Sequence, residues 1–251
     1  MRYVFAGDRA ISCEILKFLI GKNQKPLALF VSDIGKATHD KALIQLSGLD
    51  DEFIFRGNDF KSEKCIELLE SLNLDYLIGI HFPYIVPSAI INMPKVGVLN
   101  LHPAFLPYNK GWHTPSWAII DNSPYGATLH FMSDALDEGD IIHQKKLEVS
   151  FSDTANTLYK KALKLEKEVF YEAYEDLLSL NPKRIKQIGI GSSHLKNDLK
   201  YLQEIDLNTN VNILEFINKL RALTTNNINE AATITIEGKK IALQINFEEL
   251  N

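Results

Sequence analysis

Two side chains in the stretch NLHPAFLPYNKG, Asn100 and His102, carry the clearest chemistry in this chain. They end an apolar run, VGVLN, and sit two residues apart. On a strand both therefore leave one face, while Leu99 and Leu101 face the other way. An amide that donates hydrogen bonds beside an imidazole that can hold or release a proton suits a carbonyl on its way to a tetrahedral oxyanion. The carboxyl end of a strand is also where open α/β sheets receive ligands. On these two residues alone, a structural Asn–His cap is the competing reading.

Further along, SDALDEGDII sets Asp134, Asp137, Glu138 and Asp140 around Gly139. Such a run can be a solvated turn or a metal loop, and its spacing does not fit an EF-hand. A carboxylate from it could instead meet His102 and fix its tautomer. FAGDRA holds one glycine, which excludes the dinucleotide fingerprint. It still sets a turn at a helix start, where free backbone N–H groups attract an anion such as a diphosphate, with Arg9 close by. The plainer alternative is that Gly7 only lets a strand turn into a helix. Trp112 and His113 precede a helix and either line a pocket or simply pack. His81, His130 and His143 read as strand residues and receive no role from the pattern. HExxH, GxSxG, P-loop and Cys/His clusters are absent from the sequence, so zinc proteolysis, serine hydrolysis and ordinary NTP hydrolysis lack their residues.

The elements that must position these groups alternate. RYVFA is a buried strand, followed by a turn at Gly7-Asp8 and a helix with Ile11, Ile15, Leu16 and Leu19 at helical spacing. PLALFVSD, FIFRG, DYLIGIHF and VGVLNLH are short β-rich runs, with a helix over Lys61–Leu72. TPSWAIID is a helix, and GATLHFMSD and DIIHQKKLEVS are later strands. This order predicts an α/β fold with an open, mainly parallel, Rossmann-like sheet. A long helix follows, capped by Ser152 or Asp153, with Leu158, Ala162, Leu165, Val169, Phe170 and Leu177 as its buried stripe. After Asn181 the composition shifts to an extended connector, a short helix VNILEFINKLRAL, and a hairpin whose turn is EGKK. The expected division is a catalytic domain over 1–180 and a small C-terminal region over 181–251.

With 251 residues the chain can bury a sizeable core, and its net charge of −5 includes no long basic run, which argues against a nucleic-acid surface. Cys13 and Cys65 show neither metal spacing nor CxxC, as expected of a reducing compartment such as the cytoplasm. The apolar start is too short for a signal peptide, and no run of about 18 apolar residues suggests a membrane span.

Taken together, NLHPAFLPYNKG, WAIIDNSPYGATLHFMSDALDEGDII and FAGDRA resemble the formyltransferase family. Its pattern runs Asn-x-His-x-x-x-Leu-Pro, a Gly, a Gly-x-Thr strand and then Leu-Asp-x-Gly, and the likeness spans most of Arg2–Ile142 in order. The helix ending NKLRAL, then Ala231-Ala232 and TITIEGKKIALQI, resembles the short C-terminal region of the sugar N-formyltransferases, although TTNNINE stands where a proline- and aromatic-rich stretch is usual.

The resemblance implies a formyltransferase fold and a catalytic triad of Asn100, His102 and Asp137. It implies 10-formyltetrahydrofolate as donor, bound along His81, Phe82, Pro83, Tyr84 and Ile85 with Asp134 and Asp140, and no metal. PYNKGWHTPSWAI looks most like enzymes that formylate a dTDP-linked 3-amino-3,6-dideoxyhexose for O-antigen or another surface glycan. The nucleotide sugar is expected at Gly7, Asp8, Arg9, Tyr108, Asn109, Lys110, Gly111, Trp112 and His113. Alternative acceptors are a 4-amino sugar nucleotide, charged tRNA or water, and a binding module without chemistry is the rival outside catalysis. A homodimer through the hairpin face Ile234, Ile236, Ile241, Leu243 and Ile245 is expected.

Overall fold

A computed structural model describes residues 1–248 and 250. Along the chain run β1 (Tyr3–Gly7), α1 (Arg9–Gly21), β2 (Ala28–Val31), α2 (Asp40–Ser47), β3 (Ile54–Arg56), α3 (Glu63–Ser71), β4 (Tyr76–Ile80), α4 (Ser88–Ile91) and β5 (Gly97–His102). Then follow β6 (Lys110–Gly111), α5 (Thr114–Ile120), β7 (Tyr125–Phe131), β8 (Ile141–Leu147), α6 (Ala155–Leu178) and β9 (Ser193–His194). The chain closes with α7 (Lys200–Gln203), α8 (Ile213–Leu223), β10 (Ala232–Ile236) and β11 (Lys239–Leu243).

Two compact units share these elements. The first comprises Met1–His102, Thr128–His143 and Glu166–Gln187, and the second comprises Pro103–Ala127, Gln144–Leu165 and the described chain from Ile188 onward. The sheet order is β3-β2-β1-β4-β5-β7-β8. The first five strands are parallel neighbours and β7 is antiparallel to β5, which gives the mixed, mostly parallel sheet of the α/β expectation. β1, β2 and β4 are buried at every residue, as strands covered on both faces must be. The strand order reverses between β1 and β4, the crevice position that open sheets use for ligands.

In the first unit, Val4, Phe30, Phe55, Phe60, Leu77 and Val98 belong to one core cluster. α1 buries the expected Ile11, Ile15, Leu16 and Leu19. α3 is capped by Ser62, whose hydroxyl accepts from the Cys65 amide at 3.3 Å. α2 went unread in the sequence. It is short and ends on Gly48 in the left-handed region.

In the second unit, Ala118, Ile119, Tyr125, Leu158, Ala162 and Ala222 form one core, and Leu199, Leu220, Leu223 and Ala232 another. The start of α6 corrects the expected cap. Thr154 and Thr157 bond reciprocally, with the Thr157 amide 3.3 Å from Thr154 Oγ1 and the Thr154 amide 2.9 Å from Thr157 Oγ1. Asp153 instead accepts from the Ser150 amide and pairs with Lys161. The connector is not wholly free of pairing, because β9 runs parallel to β6. The hairpin forms as expected, and its two-residue turn, Glu237-Gly238, has φ of 50° and 74°, the twist-matched turn that favours glycine.

Candidate active site

Asn100 and His102 leave the same face of β5, as their spacing requires. Across the antiparallel pair Asn100 faces His130 and His102 faces Thr128. Directly opposed residues share a face, so four polar side chains lie together at the carboxyl end of β5. The loop after β7 returns Asp137 to the same place. Asn100 Nδ2 is 3.2 Å from Asp137 Oδ1 and 3.2 Å from His130 Nε2. His102 Nε2 lies 3.5 Å from Asp137 Oδ2, and His130 Nε2 3.6 Å from Asp137 Oδ1. The amide, imidazole and carboxylate expected to meet are therefore together, and a second imidazole stands among them.

His130 was missed in the sequence. Yet alternation in GATLHF puts Thr128 and His130 on one face, a readable signal once β7 is paired to β5. The ring is wholly buried. Desolvation draws its pKa down to about 4, although Asp137 pulls it upward, so at neutral pH it carries a single proton. Nδ1 lies 2.8 Å from the Phe131 carbonyl, which can only accept, so that proton sits on Nδ1. Nε2 is then an acceptor and takes an N–H from Asn100. The Phe131 carbonyl thus sets, through one imidazole, which way the Asn100 amide points.

Asp137 is nearly buried and has φ of 53°, in the left-handed region. Gly139 lies so close to the strand that a Cβ would fall 1.8 Å from the Phe131 carbonyl oxygen. Phe131 and Met132 amides donate to Asp140 and Val98 carbonyls at 2.9 and 2.7 Å and anchor the loop's start. A backbone pinned in this way brings a carboxylate back to the strand pair. Among the described residues no group of three His, Cys, Asp or Glu could hold a metal ion. What the constellation can do is donate hydrogen bonds to a developing oxyanion and shuttle a proton.

The turn at β1 departs from the anion-site expectation for Gly7, Asp8 and Arg9. The Asp8 carboxylate fills the helix N-terminus itself. Its Oδ1 accepts from the amides of Arg9 and Thr38 and from the Thr38 hydroxyl, at 2.8, 3.0 and 2.8 Å. Burial would raise this carboxyl, but those hydrogen bonds and one from Ser32 outweigh it and hold it below its ordinary value. The reason for Gly7 is also internal, since a Cβ there would fall 2.8 Å from Ser12 Cβ. Arg9 is exposed, with φ of 67°.

The segment expected to hold folate leaves the end of β4 with His81 at φ of 51°. His81 Nε2 is 2.9 Å from the buried Glu166 Oε1. Phe82 and Tyr84 pack with Phe30 and Phe60, and the Asp33 carboxylate accepts from the Tyr84 hydroxyl at 3.1 Å. Pro83 and Ile85 are both exposed. Asp134 accepts from Ser88 at 2.6 Å, and Asp140 lies 3.0 Å from Lys186.

In the second unit the expected acceptor wall is of mixed character. Asn109 is wholly buried, and its amide nitrogen reaches Ser123 Oγ at 3.0 Å and the Pro124 carbonyl at 3.2 Å, so it braces the loop instead of facing outward. Lys110 is buried in β6 beside Gly111, which has φ of 87°. Tyr108 and Trp112 are exposed, and Lys196 Nζ stands 4.7 Å from the centre of the Trp112 ring. His113 Nε2 is 3.1 Å from the Lys196 carbonyl and its Nδ1 3.8 Å from Glu230.

Comparison with known proteins decides the family. The family model described as Formyl transferase matches residues 22–174, a span that contains Asn100, His102, His130 and Asp137. The chain belongs to the formyltransferase family. A second model, described as N-formyltransferase dimerization C-terminal domain, matches residues 198–249 of this formyltransferase. It is 29% identical over 187 residues to a dTDP-4-amino-4,6-dideoxyglucose formyltransferase of Mycobacterium tuberculosis, a match covering 74% of this chain and 78% of that protein. A methionyl-tRNA formyltransferase of Lachnospira eligens is 27% identical over 222 residues, 86% of this chain and 70% of that one. Among solved structures, a 4-N formyltransferase from Francisella tularensis superposes with a TM-score of 0.84 at 27% identity, covering 99% of each chain. A sugar N-formyltransferase from a Shewanella species, at 24% identity and covering 100% of this chain and 99% of its own, shares the fold with a TM-score of 0.85. No helix among the described residues is long and apolar enough to cross a membrane.

Proposed function

We propose that this formyltransferase moves the formyl group of 10-formyltetrahydrofolate onto the amine of a dTDP-linked 4-amino-4,6-dideoxyhexose, a precursor of a surface glycan. The observation that carries the reading is that the Asp137 carboxylate, distant in sequence, comes to 3.2 Å from the Asn100 amide and 3.5 Å from the His102 ring. In this reading the amine nitrogen attacks the formyl carbon, a new C–N bond forms, and the bond from that carbon to N10 of the folate breaks. One proton leaves the amine and one arrives on N10. Asn100 gives the formyl oxygen the N–H that otherwise faces Asp137, while its other N–H stays on His130. His102, carrying a proton, adds a second donor to the oxyanion. Asp137, relieved of Asn100, holds His102 and takes the proton from the attacking nitrogen. Positioning two substrates in this way supplies several kcal/mol of the barrier lowering.

Two relatives support the 4-position, the mycobacterial dTDP-4-amino-4,6-dideoxyglucose formyltransferase and the 4-N formyltransferase of Francisella tularensis. The 3-amino isomer, which the sequence resemblance put first, is the competing acceptor. Ile85, Pro83 and the backbone after His81 are proposed to meet the pterin, with Phe82 and Tyr84 shaping them from the core side. Tyr108, Trp112 and His113 are proposed contacts of the nucleotide sugar. A homodimer through the C-terminal region is supported by the family model that matches it and by the exposure of Ile236 and Ile241. Work in the cytoplasm fits a folate donor and two free cysteines.

The test is direct. Purified protein receives 10-formyltetrahydrofolate with dTDP-linked 4-amino and 3-amino dideoxyhexoses in parallel, with charged initiator tRNA as a third arm. Mass spectrometry should find the mass of one CO added to the 4-amino sugar, with faster turnover than the 3-amino isomer. Preference for the 3-amino sugar would overturn the position, and transfer only to tRNA would overturn the acceptor class.

A further inference from the structure

The segment from Arg184 to Gln187 lies against the loop that carries Asp137, residue by residue. Arg184 donates to the Val96 carbonyl at 2.6 Å, and its guanidinium lies 3.7 Å from the centre of the Phe131 ring. Ile185 exchanges two backbone hydrogen bonds with Ile141, at 2.7 and 2.9 Å. Lys186 Nζ lies 3.0 Å from Asp140. Gln187 completes the series, for its side-chain nitrogen donates to the carbonyls of both Asp137 and Gly139, at 2.7 and 2.9 Å.

Those two carbonyls bracket Glu138 and Gly139, so one amide group with two hydrogens fixes the peptide planes on either side of the turn. The loop needs such a tie. Asp137 holds φ of 53°, a region where an L-residue is kept by its surroundings, and Gly139 has no room for a side chain. Free rotation of either peptide would swing the Asp137 Cβ and its carboxylate away from Asn100 and His102. The Gln187 side-chain oxygen is buried without a hydrogen-bond partner among the described residues, so the amide is retained at some desolvation cost for its donors.

We propose that Gln187 is a positioning residue for Asp137, its amide clamping the turn so that the carboxylate stays within reach of His102 and Asn100. This rests on the role of Asp137 in the function proposed above. Lysine 186 and Arg184 strengthen the same strap, but Gln187 alone touches the carbonyl of Asp137 itself in this segment.

Steady-state kinetics on the full chain with both substrates, for Gln187→Ala, Gln187→Glu, Asp137→Asn and the double variant Asp137→Asn with Gln187→Ala, form the test. A carboxylate misplaced by about 1 Å can cost on the order of 100-fold, so Gln187→Ala is expected to lower kcat about 10- to 100-fold. KM for donor and acceptor should stay within about twofold, since the proposed effect of Gln187 runs through Asp137 and not through substrate binding. Gln187→Glu keeps the length but offers acceptors to two carbonyls, and should lose as much; it also supplies the measurement should the alanine variant not fold. Added to Asp137→Asn, Gln187→Ala should cost nothing further, because its effect runs through the group already removed. Wild-type kcat in the folded Gln187 variants, or a multiplied loss in the double variant, would overturn the proposal. Full turnover in Asp137→Asn alone would instead overturn the reading of Asp137.

Discussion

His130 faces Asn100 across the antiparallel strands β5 and β7, and its Nε2 accepts an amide hydrogen from Asn100 at 3.2 Å. The relationship is between a group that must stay neutral and one that must point a given way. If His130 took a second proton, Nε2 would become a donor and the Asn100 amide would lose its orienting acceptor.

This buried ring makes stability depend on pH. Its folded pKa, about 4, lies below the ordinary 6.5, so between those values the unfolded chain binds more protons. Stability from this group is complete above about 6.5, falls as the pH drops, and levels off below about 4. The loss across that window is about 3 kcal/mol. Urea unfolding of the wild type and of His130→Gln between these limits should show a steeper decline in the wild type. Parallel curves would remove His130 as the cause.

Asn100→Ala deletes a hydrogen-bond donor to the oxyanion in the proposed mechanism. Loss of one such donor lowers kcat on the order of 100- to 1,000-fold. The variant also leaves the buried His130 Nε2 without its donor, so the fold should persist with stability lowered by about 1–3 kcal/mol in urea unfolding. A folded variant with full turnover would remove Asn100 from the chemistry.

Asp8 is a helix cap that also ties down Thr38, so Asp8→Ala removes several hydrogen bonds at once. Caps of this kind are worth about 1–2 kcal/mol. Because the folded carboxyl lies below its ordinary value, this contribution is present above about pH 4 and fades as the pH falls through the folded pKa. Thermal melts at neutral pH should separate the variant from the wild type, and the gap should narrow in acid. A gap that widens in acid would contradict the ionised cap.

Gly139→Ala forces a methyl to within 1.8 Å of the Phe131 carbonyl oxygen, which belongs to a strand and cannot retreat cheaply. The expected cost is about 2–3 kcal/mol, with turnover falling beyond what stability explains because the Asp137 loop moves. Urea denaturation and kcat measured on the same preparation check both parts.

Ile236 and Ile241 are exposed on one face of the hairpin. If that face joins two copies, Ile236→Lys with Ile241→Lys should convert the wild-type dimer to a monomer in analytical ultracentrifugation, without loss of the hairpin's buried end at Ala232. A wild type that sediments as a monomer would dispose of the interface.

Much of the scaffold could be read from local patterning. The all-apolar β1 and β4, the α6 stripe from Leu158 to Leu177 and the EGKK turn each declare themselves within a few residues of chain. Asn100 and His102 were legible for the same reason, since alternation alone puts them on one face. What escaped depends on partners distant in sequence. His130 gains its meaning from the β5–β7 register, Gln187 from carbonyls near residue 138, and Asp8 from amides at Thr38. The resemblance set Asn109 among the nucleotide-sugar contacts, but its side chain is held by Ser123 and the Pro124 carbonyl, partners that local patterning does not announce. The cap of α6 was placed one or two residues early because Ser152, Asp153 and Thr154 are all competent, and only the reciprocal bond to Thr157 decides among them.

The antiparallel register of β5 against β7 has an evolutionary corollary. Asn100 and His130 belong to a ladder, so they are inherited as a pair, and a single-residue insertion in either strand would turn one of them to the opposite side. The stretch from Pro103 to Pro124, which joins the strands, is no part of that ladder, so a change in its length would leave Asn100 opposite His130.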